Sequence, residues 1–180
     1  LVSVNHRLNI LGYLDLSPFG EKYKNSANAG HADMVAALQW VHDNIALFGG
    51  DPENVTIFGQ SGGGMKVTDL MQIPSADGLF QKGLVMSGVM EDDTLGAGEK
   101  DGTEIVTALM KELGFTDVAQ LETVPYPQLA AAYAKVAPAI AKSGGYIGGG
   151  PKKGDYFCGN PFDAGFREHA HQIPMMIGTV

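Results

Sequence analysis

The feature that most constrains this chain is a glycine-rich turn that follows a short apolar run. The turn is Gly59-Gln60-Ser61-Gly62-Gly63. It comes directly after residues 55–58, Val-Thr-Ile-Phe, and a helix-compatible stretch follows it. A G-x-S-x-G pattern between a strand and a helix presents the serine oxygen on a sharp, strained turn, a unit known as the nucleophile elbow. The pattern therefore predicts that Ser61 is exposed and available for chemistry.

The glycines of this turn are expected to provide clearance. Gly59, Gly62 and Gly63 lack the Cβ atoms that would collide where strand and helix backbones pass close together. Glycine is nevertheless abundant, with 25 of the 180 residues. A glycine-rich connection with a bystander serine is therefore an alternative that these five residues alone leave open.

The composition limits the partners that the chain can bind. A length of 180 residues with 44% hydrophobic residues is typical of a globular protein with its own core. The formal charge of −8 argues against nucleic acids and anionic membrane surfaces, because both require basic patches. No apolar run has the length of a transmembrane helix, and the single cysteine, Cys158, excludes an intrachain disulfide. We therefore expect neither a nucleic-acid partner nor a membrane span.

Strand and helix signals alternate along the chain, which predicts an α/β fold with a mainly parallel sheet and flanking helices. The expected strands are 1–4, 54–58, 83–88 and 173–180. The expected helices are 32–46, 62–72, 101–113, a short one from 116, and 126–142. Residues 9–30 and 143–159 are expected to be loops, and the glycines of 143–150 favour a flexible connection over a phosphate loop because no Gly-Lys-Ser/Thr follows.

These signals predict one partial domain over residues 1–180. Residues 1–90 form the core with the nucleophile elbow, 91–150 form a helical excursion and a glycine-rich loop, and 151–180 return to the sheet. Both 1–4 and 173–180 have the character of buried strands. We therefore expect this to be part of a longer chain, and we expect it to self-associate or to depend on the remainder of the parent chain, because open sheet edges and apolar faces invite association.

Several motifs follow one another in an order that resembles a known enzyme family. They are Val4-Asn5-His6-Arg7-Leu8, Gly12-Tyr13-Leu14, Asn28-Ala29-Gly30 with Asp33, 37–45, 48–52, 55–63, 78–80 and Ser87-Gly88. The set resembles the type-B carboxylesterases of the α/β-hydrolase class, close to the bacterial para-nitrobenzyl esterases. The match is close over residues 1–90 and diffuse over 91–180, and His6 stands where the family usually has tyrosine.

The resemblance implies a partial α/β-hydrolase fold and a reaction. Ser61 would be the nucleophile that a small carboxylic ester acylates, and Gly62 would donate its backbone N–H to the oxyanion. No cofactor and no metal are implied. The alternative is a non-catalytic relative that uses the same fold as a binding or adhesion surface, although such relatives generally lose the serine.

The resemblance also implies that parts of the catalytic machinery lie elsewhere. The family's His-Gly-Gly-Gly oxyanion loop precedes the segment that begins at Leu1, the triad acid follows Val180, and the triad histidine lies further on. We therefore expect these 180 residues alone to be inactive.

Supporting roles are implied for other residues. Gln60, Gly59 and Gly63 would hold the turn, and Ser87 resembles a serine that hydrogen-bonds the triad acid in relatives. Arg7 and Asp33 occupy positions that form a buried ion pair in the family, and such a pair is costly to half-remove.

The five histidines are not expected to supply the catalytic base. His31 and His42 flank the helix 32–46 outside its apolar stripe, His169 and His171 lie in a polar stretch, and His6 is expected to pack. Their spacing gives no metal motif such as H-E-x-x-H. Trp40 is expected to be a core residue.

Overall fold

The computed structural model describes residues 1–89 and 100–179. These residues divide into two compact units. The first unit contains, among the described residues, 1–6, 30–89 and 153–179, and it carries the sheet and the nucleophile elbow. The second unit contains 7–29 and, within the described part of the chain, 100–152, and its described secondary-structure elements are helices joined by loops. The prediction of a single domain over 1–180 stays a prediction.

The helices follow the expected order, with differences at their ends. The α-helices are α1 Asn9–Tyr13, α2 Ala29–Asn44, α3 Gly62–Leu70, α4 Thr103–Leu113, α5 Tyr126–Lys142 and α6 Pro161–Ala164. Short 3₁₀ helices are Ser17–Phe19, Glu21–Tyr23, Ser26–Asn28, Ile45–Phe48, Pro74–Ala76, Val118–Glu122 and Glu168–Gln172. The expected loop 9–30 is therefore a series of single helical turns, whereas 143–159 is a loop as predicted. The start of the helical excursion, residues 91–99, lies outside the described residues.

Three parallel strands form the sheet of the first unit. They are β1 Thr56–Gln60, β2 Lys82–Met86 and β3 Met175–Gly178, in the order β1-β2-β3. In the register, Gly59 lies beside Val85, and Val85 lies beside Ile177. All three strands therefore point their carboxyl ends toward one edge, which confirms the α/β class with a parallel sheet and flanking helices.

Residues 1–4 are not a strand, and the prediction for them is wrong. They have no ladder partner among the described residues, and their side chains are exposed, with Leu1 at 106% and Val4 at 46%. Apolar, β-branched residues favour a strand only where a neighbour supplies hydrogen bonds and covers the faces. In this structure, no neighbour of that kind lies beside residues 1–4 in the described sheet.

Each unit has its own core. In the first, α2 and α3 pack with the sheet through a cluster that includes Met34, Val67, Met71, Phe80 and Val85. The second core is built by α4 and α5 with the loop that follows α5, and its central residues are Ile105, Val106, Leu109, Ile140 and Tyr146. The helix that begins beside Ser61 is therefore anchored in this core, because Val67 and Leu70 on α3 are both buried in it.

Candidate active site

Ser61 sits in the strand–turn–helix unit that the sequence predicts. β1 ends at Gln60, α3 begins at Gly62, and the backbone of Ser61 between them has φ 54° and ψ −120°. A non-glycine residue in such a region is strained by about 1–3 kcal/mol. The side chain of Ser61 is exposed. The turn therefore holds a serine hydroxyl clear of the backbone.

The clearance comes from three glycines, of which only Gly59 was expected. A Cβ on Gly59 would overlap the backbone carbonyl of Gly63. A Cβ on Gly64 would overlap the carbonyl oxygen of Ser87, and a Cβ on Gly88 would overlap that of Ser61. The strand end, the turn and the start of α3 are therefore in backbone contact with one another.

Gly62 and Gly63 do not supply clearance through their missing side chains, and that expectation is wrong. Among the described residues, a Cβ on Gly63 would meet nothing within 4 Å, and one on Gly62 would meet only Lys66 Nζ at 3.9 Å. Gly63 contributes instead as the backbone against which Gly59 packs. The G-x-S-x-G pattern does not reveal this, because it does not say which backbone approaches which residue.

The end of β2 buttresses the turn. The N–H of Ser61 donates to the carbonyl oxygen of Met86 at 3.0 Å, and the N–H of Ser87 donates to that of Gly178 at 2.7 Å. Ser87 and Gly88 both have positive φ, 61° and 87°. Ser87 is thus brought next to the elbow by the ladder, while its role toward a triad acid stays a prediction.

The start of α3 offers backbone donors beside Ser61. The N–H of Met65 donates to the carbonyl oxygen of Ser61 at 3.1 Å, and the Ser61 side chain does not cap the helix. The N–H groups of the first helical residues, Gly62 among them, have no intrahelical acceptor. The helix dipole also makes this end positive. This end of the helix can therefore receive a developing negative charge.

Lys66 is a residue that sequence reasoning missed. It is half-buried on α3, and its Nζ donates to the carbonyl oxygen of Gly62 at 3.3 Å. Burial lowers the pKa of this ammonium below 10.5, while the charge of Asp69 acts in the opposite direction. The sequence signal that could have identified Lys66 was its position on the expected helix 62–72, about one turn after the serine.

Lys66 also lines an open, mainly apolar groove of about 1190 Å³ between residues 1–4, α2 and β1.

His31 is fully buried, contrary to the expectation that it lies outside the core stripe. Its Nε2 lies 3.1 Å from Asp69 Oδ2, and its ring packs at a tilt against that of Phe157, with 5.4 Å between the ring centroids. The first turn of α2 is buried on the side that carries Met34, three residues along, so His31 shares that face. The carboxylate of Asp69 on α3 partly offsets the free-energy cost of burying the His31 ring. The periodicity of the sequence could not identify this partner, because it lies on another helix.

Two other histidines also lie beside carboxylates. His42 Nδ1 lies 3.0 Å from Asp43 Oδ1, and His169 Nε2 lies 3.8 Å from Asp77 Oδ1. A carboxylate beside a histidine is also what orients a catalytic base, so these contacts do not test the histidines. That no histidine of this chain is the catalytic base stays a prediction.

The remaining predicted residues are placed as follows. Gln60 is exposed at the end of β1. Arg7 donates to the carbonyl oxygen of Ala29 at 3.4 Å, and Asp33 is half-buried on α2. Arg7 and Asp33 belong to different units, and their ion pair stays a prediction.

Trp40 is not a core residue. It is 49% exposed on α2, and its ring lies 5.8 Å from that of Phe48, which is also exposed. Both rings line the open groove beside β1. Met34 and Val41 are buried members of the apolar stripe of α2, whereas Trp40 lies about 100° around the helix from Val41, at the edge of that stripe.

The described residues contain neither a candidate membrane span nor a candidate metal cluster. Within 1–89 and 100–179, no helix combines the length and the apolar character that crossing a membrane requires. The same residues contain no group of three or more His, Cys, Asp or Glu side chains placed to hold a metal ion.

Comparison with known proteins gives consistent matches. The model of the Carboxylesterase family matches residues 1–180. The chain is 43% identical over 117 residues to the para-nitrobenzyl esterase of Bacillus subtilis (strain 168), covering 65% of this chain and 23% of that protein. It is 39% identical over 130 residues to carboxylesterase 3B of Mus musculus, covering 63% and 22%.

Solved structures agree with the sequence matches. An esterase of anaerobic Clostridium hathewayi that can hydrolyse aliphatic aromatic polyesters is 60% identical, with a TM-score of 0.93 over 98% of this chain and 36% of that one. A carboxylesterase of Geobacillus stearothermophilus is 33% identical, with a TM-score of 0.75 over 97% and 37%. The chain thus spans between about a fifth and just over a third of the length of these proteins.

Proposed function

Because this chain belongs to the carboxylesterase family, we propose that it carries the nucleophile of a serine carboxylic ester hydrolase. Ser61 Oγ attacks the ester carbonyl carbon as its proton passes to a base. The alcohol leaves with a proton, and an acyl group stays on Ser61. Water then attacks this acyl-enzyme, and the carboxylic acid is released while the serine hydroxyl is restored.

The observation that carries this proposal is the backbone of Ser61. A backbone φ of 54° costs a serine free energy. The close backbone packing at Gly59, Gly64 and Gly88 holds the exposed Ser61 in this conformation. A bystander serine in a glycine-rich connection would gain nothing from this strain. The same feature favours an enzyme over the non-catalytic binding relative, because a binding surface does not require a serine held in this way.

Gly62 is proposed as one oxyanion donor. Its N–H stands at the positive end of α3 and directly after the nucleophile. A donor at this place stabilises the tetrahedral intermediate more than the neutral ester, and removing one such donor typically lowers kcat about 10²–10³-fold.

The catalytic base, its acid and the second part of the oxyanion hole are proposed to come from sequence outside these 180 residues. The chain covers 23% of the Bacillus esterase and 36% of the Clostridium one, so most of either protein has no counterpart here. We therefore expect the 180-residue chain alone to show no Ser61-dependent turnover and to associate with itself or with the remainder of the parent chain.

The substrate class is proposed to be small carboxylic esters. The 60% identical relative that can hydrolyse aliphatic aromatic polyesters makes esters of aromatic acids a sensible second assay beside a short-chain p-nitrophenyl ester.

The test uses the full-length protein and a serine-directed fluorophosphonate probe. Ser61→Ala should abolish labelling and lower kcat for p-nitrophenyl esters by about 10⁶-fold, as removal of a triad serine does elsewhere. Ser75→Ala is the matched control, because Ser75 is also exposed but lies in a 3₁₀ turn away from the elbow. Near-normal hydrolysis by Ser61→Ala would end the catalytic proposal.

A further inference from the structure

The ammonium of Lys66 lies at the residue proposed to bind the oxyanion. Lys66 is the fifth residue of α3, and its side chain turns back toward the start of the helix. Its Nζ is 3.3 Å from the carbonyl oxygen of Gly62 and 3.9 Å from the position that a Cβ on Gly62 would occupy. A full positive charge is therefore held against Gly62 from within the helix.

This position costs free energy for a charged lysine, for two reasons. The ammonium is half-buried, and burial lowers its pKa. It also reaches back to the end of the helix that is already positive. Residues that break such local rules are concentrated at functional sites.

We propose that Lys66 is a positioning residue of this site, whose charge acts through Gly62 to stabilise the oxyanion. The inference rests on the proposed function of Ser61. The ester carbonyl is neutral before attack and carries a negative charge in the tetrahedral intermediate. A cation held at Gly62, the residue whose N–H is the proposed donor, therefore favours the intermediate over the bound ester, so its contribution appears in kcat. The hydrogen bond to the Gly62 carbonyl also holds the peptide that follows the donor.

The charges around Lys66 determine how it responds to pH. Asp69 on the same helix favours the ammonium, and His31 from α2 is bonded to that carboxylate. His6 and Asp51 line the same groove. Because burial lowers the pKa of Lys66 from the ordinary 10.5, its ammonium loses its charge at a lower pH than an exposed lysine does. The contribution to kcat should disappear over the same alkaline interval.

The experiment measures kcat and KM of the full-length protein between pH 6 and 10, corrected for spontaneous hydrolysis. Lys66→Met should lower kcat at neutral pH by about tenfold, less than the loss of a direct donor, with KM little changed and without the alkaline decline. Lys66→Arg should keep the neutral kcat and move the decline to higher pH, because a guanidinium stays charged. Lys82→Met is the control, since Lys82 is exposed and bonds Asn54 at the far end of β2.

The outcomes separate the two proposals. If Ser61→Ala remains active, the function proposed for this site is wrong, whatever Lys66 does. If hydrolysis depends on Ser61 but Lys66→Arg leaves the alkaline decline unmoved, the Lys66 proposal alone is overturned. If Lys66→Met fails to fold, Lys66→Arg still tests the Lys66 proposal, because arginine keeps the charge and the aliphatic stem.

Discussion

Gly88 packs against the carbonyl oxygen of Ser61 so closely that a methyl group on Gly88 would overlap it. Gly88 follows β2, and the N–H of Ser61 donates to the carbonyl oxygen of Met86 two residues earlier. The nucleophile is therefore held from the neighbouring strand as well as by its own turn. This relationship connects the packing of the sheet directly to the position of the reactive oxygen.

Gly88→Ala should damage both stability and activity. The substitution adds strain at φ 87° and forces the Ser61 carbonyl to move. We expect a loss of about 3 kcal/mol in the free energy of unfolding and a fall in kcat, measured by urea denaturation and ester hydrolysis of the full-length protein.

Gly78→Ala is the matched control for that prediction. Gly78 has a similar φ of 82°, but a Cβ there would meet nothing within 4 Å among the described residues. It should cost about 1 kcal/mol from backbone strain alone and leave kcat unchanged. Equal effects of the two variants would show that the contact with Ser61 is unimportant.

Ser61→Gly should be more stable than Ser61→Ala, while both substitutions remove activity. Glycine adopts φ 54° without the cost that serine pays there. We expect the free energy of unfolding to rise by about 1 kcal/mol relative to Ser61→Ala, while both variants lose hydrolysis. A Ser61→Gly protein no more stable than Ser61→Ala would contradict the claim that this turn stores strain.

The sequence predicted an element correctly where residues close together in the chain determine its structure. α5 begins and ends where predicted, because prolines mark its start and Ser143-Gly144 follows its end. The nucleophile elbow was predicted because its strand, glycines and helix are adjacent in sequence.

Features that depend on distant partners were not predictable. Residues 1–4 have strand character but no paired neighbour in the described sheet. Gly64 and Gly88 must lack a Cβ because backbone atoms distant in sequence lie against them. These atoms are the carbonyl oxygen of Ser87 beside Gly64 and that of Ser61 beside Gly88. His31 was assigned to the outside of α2, because its partner Asp69 lies 38 residues away.

The buried pair His31–Asp69 should show strong energetic coupling. Replacing either residue by leucine leaves a buried polar partner without its 3.1 Å contact. The double variant leaves no such orphan, so its cost should be less than the sum of the two single costs by about 1–3 kcal/mol. Urea denaturation of the four proteins measures this coupling.

The exposed pair His42–Asp43 is the control for that cycle. Its atoms are also close, at 3.0 Å, but both side chains are substantially exposed. Water screens such pairs, so the same leucine cycle should show no measurable coupling. Additive costs for His31 and Asp69 would mean that their contact does not support the packing of α2 on α3.

Gln72 should be among the most sensitive positions beyond the elbow. It is 1% exposed in the turn that follows α3, and its amide nitrogen donates to the carbonyl oxygens of Gly159 at 3.1 Å and Gly165 at 2.9 Å. Its amide oxygen accepts from the N–H of Arg167 at 3.0 Å. One side chain therefore satisfies three backbone groups of the segment that leads into β3.

Gln72→Leu keeps most of the side-chain volume and removes all three hydrogen bonds. Orphaned buried polar groups cost about 1–3 kcal/mol each where water cannot reach them, so we expect the free energy of unfolding to fall by about 3 kcal/mol. Gln81→Leu is the control, because Gln81 also bonds backbone groups, at Val55 and Gly78, but is more accessible to water. Hydrogen exchange of the β3 amides should accelerate in Gln72→Leu and stay near the native rate in Gln81→Leu. Unchanged exchange in both variants would show that β3 docks without this amide.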